Sequence, residues 1–286
     1  MTMLQGVYVP NVTPFRDDAN RTIDLDAYRR HVAWLAERGV TGVVPFGTTG
    51  EGPSVAASEK PPAVQAVLDE DLGIEVVPAV TEGNLTDTLS LLERLNDLPV
   101  TAVLVLPPYY FRPAETEGLR VYYERVLETS RHPVLAYHIP RYAVPVPVEL
   151  VASLPFWGVK NSAGDPDYSK AVHAAGKGVM VGTEEDLAGQ LPETEGTILA
   201  LANMVPEQVV DLYTKVRSGD GAGAERLSSH LRQMRSQSPQ DLGPAMLKLL
   251  AQARHGIPMG TVRPPLLPPA GIDVSAALAR LDAGGA

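Results

Sequence analysis

The sequence contains no cysteine. That rules out disulfides, thiolate catalysis and cysteine-ligated zinc, and it suits a reducing compartment. It also lacks any run of about 18 apolar residues, the length a membrane-spanning helix needs. Its first fifteen residues show no basic stretch followed by an apolar core, so no signal peptide is read there and a cytoplasmic protein is expected. Positive charge is short: 24 Lys and Arg against 34 Asp and Glu leave a net charge of −10. Such a balance repels phosphate backbones and argues against nucleic acid as a partner. No Gly-x-x-x-x-Gly-Lys-Ser/Thr or Gly-x-Gly-x-x-Gly loop is present, which removes the usual nucleotide signatures. The six histidines show no His-x-His or His-x-x-x-His spacing, so no metal site is expected.

What is present is a repeating pattern. The 286 residues, 44% hydrophobic and 20% charged, suffice for one large core. Eight short runs rich in Val, Ile and Leu fall at 6–13, 41–46, 74–80, 101–107, 133–139, 157–161, 179–183 and 197–201. They are nearly continuous in apolar residues instead of alternating, as parallel strands buried on both faces are. Helical spacing lies between them. Leu25, Tyr28, Val32 and Leu35 line one face of a helix over 25–38, with Asp24 placed to cap its start and Gly39 its end. Segments 115–130 and 206–217 read as helices too, and 148–153 as a short one. Eight alternations imply right-handed crossovers and a closed sheet, so the expected fold is α/β, a (β/α)₈ TIM barrel. Beyond it, 218–224 reads as a linker, 224–237 and 241–255 as extra C-terminal helices, 258–269 as extended, and 283–286 as a frayed tail. Residues 1–218 form the barrel in this reading, and 219–286 a helical appendage of the same domain.

In such a barrel, chemistry gathers at the C-terminal ends of the strands. Of the six lysines only Lys160 interrupts an apolar strand. An ammonium buried without a partner tends to give up its proton, and a neutral amine in a dry site is what imine formation with a ketone requires. The bland alternative is a strand-end lysine that snorkels to solvent or pairs with a carboxylate. Tyr137 ends the neighbouring strand, where its phenol could shuttle protons to an imine. Strand alternation sends Tyr137 and His138 to opposite faces, so one of them alone faces the interior. The glycines at 47, 50 and 52 let backbone N–H groups and the Thr48 and Thr49 hydroxyls approach a small anion; taken alone the segment reads as a tight βα turn. The Tyr109–Tyr110 pair reads alone as packing or interface material. Glu184, Glu185 and Asp186 read either as a polyol-binding group or as acidic residues at a helix start.

Taken in order, Gly-Thr-Thr-Gly-Glu from Gly47, Pro-Pro-Tyr-Tyr-x-Arg-Pro from Pro107, Tyr-x-Ile-Pro from Tyr137 and Gly-Val-Lys-Asn-Ser-x-Gly-Asp from Gly158 resemble the dihydrodipicolinate synthase / N-acetylneuraminate lyase family of pyruvate-dependent class I aldolases. The likeness spans roughly the whole chain, including Ala245-Met246-Leu247-Lys248 and Arg263-Pro264-Pro265-Leu266. It implies a barrel with extra C-terminal helices, a homo-oligomer (tetramer or dimer) and no metal or organic cofactor. By resemblance, Lys160 is the imine-forming lysine, Tyr137 the proton-relaying tyrosine and Thr48 the relay threonine. Thr49 holds the substrate carboxylate, and Tyr110 is the tyrosine a neighbouring subunit inserts toward the site. Gly182 and the Ile198 carbonyl line the pocket, and Glu184 lies where sialic acid lyases bind the sugar chain.

There are departures. Where the synthases carry an arginine five residues after the tyrosine of strand five, this chain has Tyr142, with Arg141 one place earlier as a candidate for the substrate's distal end. The segment Thr81-Glu82-Gly83-Asn84 lacks the family's glycine pattern. Lys160 followed by Asn-Ser-x-Gly-Asp is similar to the 2-oxo-3-deoxy sugar acid and hydroxy-oxoglutarate aldolases. The expected reaction joins or splits pyruvate and an aldehyde through a 4-hydroxy-2-oxo acid. Its rivals are dihydrodipicolinate synthesis or a related dehydration, a metal-dependent barrel hydrolase or class II aldolase, and a catalytically silent 2-oxo-acid binder.

Overall fold

The computed structural model describes residues 4–237 and 243–282. Nine strand segments form one parallel sheet: β1 (Gly6–Val9), β2 (Gly42–Val43), β3 (Glu75–Val76), β4 (Ala79–Val80), β5 (Val103–Val105), β6 (Val134–His138), β7 (Gly158–Asn161), β8 (Gly178–Val181) and β9 (Gly196–Ile198). Their order is β3-β2-β1-β9-β8-β7-β6-β5-β4. The two ends of that order are halves of a single extended stretch, interrupted where Pro78 has no N–H to donate. The ladder runs through the interruption: the Ala79 N–H donates to the Pro45 carbonyl (2.8 Å), and the Thr101 N–H to the Val76 carbonyl (3.0 Å). The sheet thus curls round on itself in a TIM-barrel-like α/β fold. All eight expected strands are found, the third as two segments.

The unbroken apolar runs have a direct cause in this curl. Along β6, Leu135 and Tyr137 point inward into a cluster with Tyr8, Leu104, Met180 and Ile198. Val134 and Ala136 point outward, with Val103, Val159 and Val179, into a second core beneath the helices. Both faces are dry, so alternation of side-chain direction carries no alternation of polarity.

The helices alternate with the strands: α1 (Leu25–Ala36), α2 (Lys60–Leu68), α3 (Leu85–Leu95), α4 (Thr116–Thr129), α5 (Val148–Ser153), α6 (Pro166–Ala174), α7 (Leu187–Gln190) and α8 (Pro206–Ser218). Asp24 caps α1 by accepting the Ala27 N–H (3.1 Å), and Tyr28, Val32 and Leu35 are buried beneath it. This helix stops two residues before the expected Arg38.

The expected linker at 218–224 is corrected. Helix α8 runs through Ser218, and α9 (Gly221–Gln237) starts three residues later. Asp220 caps the new helix at the Gly223 N–H (2.9 Å), and this cap outweighs the poor helix propensity of Gly221 and Gly223. Helix α10 (Pro244–His255) follows; the expected start at 241 and the tail at 283–286 lie outside the described residues. A further helix, α11 (Val274–Asp282), was not expected; Asp273 starts it by accepting the Ala276 N–H (2.9 Å). Helix α9 packs on α7 and α8, and α10 on α11 and on the 3₁₀ turn Ala200–Asn203. No helix among the described residues is long and apolar enough to cross a membrane.

Two buried histidines set an acid limit on this fold. His31 Nε2 is 3.2 Å from Asn203 Oδ1, which also accepts the Val12 N–H, and burial together with nearby His255 pulls the His31 imidazole down to about 3. His138 Nδ1 accepts the Val146 N–H (3.2 Å) and its ring stacks on Tyr168. Burial pulls it down to about 4, against the opposing pull of Asp165. Because both folded values lie below the ordinary histidine value of about 6.5, the unfolded chain takes up these protons first as pH falls. Stability is therefore lost as pH falls from about 6.5, down to about pH 4 for His138 and about pH 3 for His31. At about 1.4 kcal/mol per pKa unit, His138 alone accounts for on the order of 2–3 kcal/mol. Urea midpoints measured from pH 7 to pH 4 should fall less steeply for His138→Gln than for the wild type. Parallel curves would show that His138 does not contribute.

Candidate active site

Strands β6 and β7 run in register with Tyr137 beside Lys160. On β7 the outward position goes to Val159 and the inward one to Lys160, which is 4% exposed. The Lys160 Nζ donates to the Tyr137 hydroxyl at 3.3 Å and lies 4.5 Å from the centre of its ring. Across the mouth of the sheet, Thr48 Oγ1 is 3.3 Å from the same hydroxyl. One phenol therefore bridges a buried amine and a loop hydroxyl. His138 takes the opposite face, against Tyr168, as the alternation required.

Lys60 and Lys248 are also buried, each with less than 2% exposed. Lys60 is in ion-pair contact with Glu82 and donates to Thr81 Oγ1 (3.0 Å). Lys248 meets Glu51 at 2.5 Å. Each of these two faces a carboxylate that favours the ammonium but only partly offsets burial, which pulls Lys60 below the usual lysine range and Lys248 down to about 8. Lys160 instead meets a phenol and lines a cavity.

That cavity has a volume of about 340 Å³ and is lined by Thr48, Thr49, Tyr137, Lys160, Gly182 and Ile198, among others. Gly182 is required for space. A Cβ there would lie 2.3 Å from Ser162 Oγ, 2.8 Å from the Asn161 carbonyl oxygen and 3.2 Å from Lys160 Cε, so any side chain would collide with the backbone and crowd the lysine. The rest of the wall is polar, with Ser162 beside Gly182 and with Thr183, Glu184, Arg141, Tyr142 and Arg235. Burial raises the Glu184 carboxyl above the usual range, against the opposing charge of Arg235, whose Nε is 3.8 Å away.

The structure brings Lys160, Tyr137, Thr48, Thr49, Gly182, Ile198, Arg141 and Glu184 to one cavity. Tyr110 lies outside its lining, 81% exposed and edge-on to Phe111. Its neighbour Tyr109 is the half-buried member of the pair, packed on the inner cluster. Sequence reasoning missed Ser162 and Arg235. Ser162 follows a strand end and could have been found by its spacing from Lys160; Arg235 reaches the cavity from α9, and no local signal marks it. Among the described residues no group of three or more His, Asp or Glu is arranged to hold a metal ion.

Comparison with known proteins covers nearly the full length. The profile of the Dihydrodipicolinate synthetase family matches residues 3–276. A 4-hydroxy-tetrahydrodipicolinate synthase of Anaeromyxobacter sp. (strain K) is 32% identical over 279 residues, 94% of this chain and 93% of the relative. A 2-keto-3-deoxygluconate aldolase variant of Sulfolobus solfataricus superposes with a TM-score of 0.89 at 22% identity, covering 97% of this chain and 95% of the other. The sialic acid aldolase of Ruminococcus gnavus, as its catalytic lysine mutant, gives a TM-score of 0.90 at 20% identity over 98% of this chain and 96% of the other.

Proposed function

Because the chain belongs to the dihydrodipicolinate synthetase family of lyases and aldolases, we propose that it is a class I aldolase that uses Lys160 to capture a 2-oxo acid. In this reading it cleaves or condenses a 4-hydroxy-2-oxo acid to or from pyruvate and an aldehyde, with a 2-oxo-3-deoxy sugar acid as the substrate type. The observation that carries the proposal is Lys160 itself: buried, inward on β7, and 3.3 Å from a phenol that faces the cavity.

Lys160 attacks the C2 carbonyl, water leaves, and the iminium draws electrons from the C3–C4 bond. The substrate carboxylate sits on the turn of Thr48 and Thr49, opposite the amine. Tyr137 takes the proton of the 4-hydroxyl as the C3–C4 bond breaks and hands its own proton on to the Thr48 hydroxyl, which relays one in turn, so the phenol ends neutral. The aldehyde departs and the enamine of pyruvate remains, to be protonated and hydrolysed. Separations of 3.3 Å suit a resting site whose catalytic hydrogen bonds tighten once substrate is bound. Gly182 and the Ile198 carbonyl bound the space beside the amine. The polar wall of Ser162, Thr183, Glu184 and Arg141 suits a hydroxylated chain beyond C4. The exposed Tyr110 joins the site of a neighbouring copy in a homo-oligomer, and the described C-terminal helices α9, α10 and α11 fold as one unit with the barrel.

A second reading, 4-hydroxy-tetrahydrodipicolinate synthesis, is favoured by the name of the Anaeromyxobacter relative and by Arg141 at the cavity wall. It keeps Lys160 and changes only the aldehyde, to one that bears a carboxylate.

Borohydride reduction in the presence of pyruvate, followed by peptide mass spectrometry, tests the shared step. A reduced pyruvyl adduct on Lys160 supports both readings, and an aldehyde screen then separates them. Binding of pyruvate without an adduct would leave a silent 2-oxo-acid binder in place of an enzyme.

A further inference from the structure

The turn that carries Thr48 and Thr49 ends in Glu51, whose backbone is left-handed (φ 56, ψ 31). A non-glycine residue there is held against a cost of order 1 kcal/mol, so something must fix it. On either side the chain has no slack. A Cβ on Gly52 would fall 1.7 Å from the Phe46 carbonyl oxygen, and one on Gly50 would fall 2.8 Å from that of Asn11. The Glu51 N–H donates to the Thr48 carbonyl (3.2 Å), so the orientation of Glu51 is transmitted directly to the threonine.

The Glu51 carboxylate is fully buried, and both its contacts come from the far end of the chain. One oxygen is 2.5 Å from Lys248 Nζ on α10, and the other accepts the Arg263 backbone N–H at 2.9 Å. Those partners are fixed in turn. Lys248 donates to the Thr261 carbonyl (3.1 Å), and its ammonium lies over the Phe15 ring, 3.9 Å from the ring centre. The Arg263 guanidinium also meets the Phe15 ring, at 4.4 Å, and pairs with Glu59 at 2.7 Å.

A buried ion pair is a poor stabilising device, since its desolvation roughly cancels its attraction and apolar residues would hold the same helices as well. What the pair supplies is a defined direction for the carboxylate, and therefore for the strained turn. Taking the proposed role of the Thr48 and Thr49 turn as given, we propose that Glu51 is a positioning residue for the substrate carboxylate, pinned by Lys248 and by the backbone of Arg263 so that the C-terminal helices set the geometry of the turn.

The test is the double variant Glu51→Gln/Lys248→Met, which removes both charges together and leaves neither ion uncompensated. It is compared with wild type in two ways: backbone hydrogen exchange of the peptide spanning 47–52, and the pyruvate concentration that half-saturates borohydride trapping. With circular dichroism unchanged, exchange of the turn should quicken by at least about tenfold. Half-saturation should rise by a similar factor while the maximal extent of trapping is retained. A folded double variant with wild-type exchange and wild-type half-saturation overturns the proposal. Should the double variant fail to fold, Lys248→Arg keeps the charge and moves the pin; a folded Lys248→Arg with wild-type values in both measurements overturns it equally. A wild type that traps no pyruvate would sink the reading of Lys160 and leave the exchange result to decide on Glu51.

Discussion

Lys160→Met should be inactive and more stable than the wild type. The readout needs no knowledge of the aldehyde, because an enamine exchanges the C3 protons of pyruvate with deuterium oxide. In the variant that exchange should drop to the uncatalysed rate, a loss of at least about 10⁴-fold, as removal of a covalent nucleophile commonly gives. Stability should move the other way. Lys160 is 4% exposed and its amine meets the Tyr137 hydroxyl at 3.3 Å, so the wild type buries a polar group with modest compensation. Methionine matches its length, and Met180 already lies in the same inner cluster. A gain of about 1–2 kcal/mol follows, read as a rise in Tm of roughly 2–6 °C. Loss of exchange accompanied by a fall in Tm would mean that Lys160 serves the fold instead of the chemistry.

The contrast among the buried lysines explains what the sequence revealed and what it hid. Lys160 was legible because it breaks an apolar strand. Lys60 and Lys248 lie on helices, where a lysine is ordinarily a solvated residue, and their burial depends on Glu82 and Glu51 from distant segments. Local spacing holds no record of such partners. The strands were legible for a similar reason: when both faces are buried, as for Val134 to Tyr137, polarity alone marks the element. The start of α9 was misread because Gly221 and Gly223 look like a flexible linker, whereas the Asp220 cap that overrides them is a matter of one hydrogen bond. Arg235 reaches the cavity wall from that same helix, so the site's outer wall could be seen only once the C-terminal helices were placed.

Tyr137→Phe should separate capture from cleavage. The phenol touches both Lys160 Nζ and Thr48 Oγ1, and in the proposed mechanism it is the group that takes the 4-hydroxyl proton. Removing its oxygen leaves the amine and the carboxylate turn in place, so pyruvate should still be trapped on Lys160. Cleavage of a 4-hydroxy-2-oxo acid such as 2-keto-3-deoxygluconate should fall by about 10²–10⁴-fold in kcat, the usual range for a general base. The stability cost should be small, about 1 kcal/mol, because an amine and a hydroxyl each lose one buried partner. Thr48→Val should cost less, about tenfold, since the threonine works on the phenol and not on the substrate proton. The double variant then decides between two arrangements. If Thr48 acts through Tyr137, the pair should be no slower than Tyr137→Phe alone, because a relay without its middle member has nothing left to lose. Additive losses would instead assign Thr48 a contact with the substrate of its own, and would move the proton path away from the phenol that joins the two sides of the cavity.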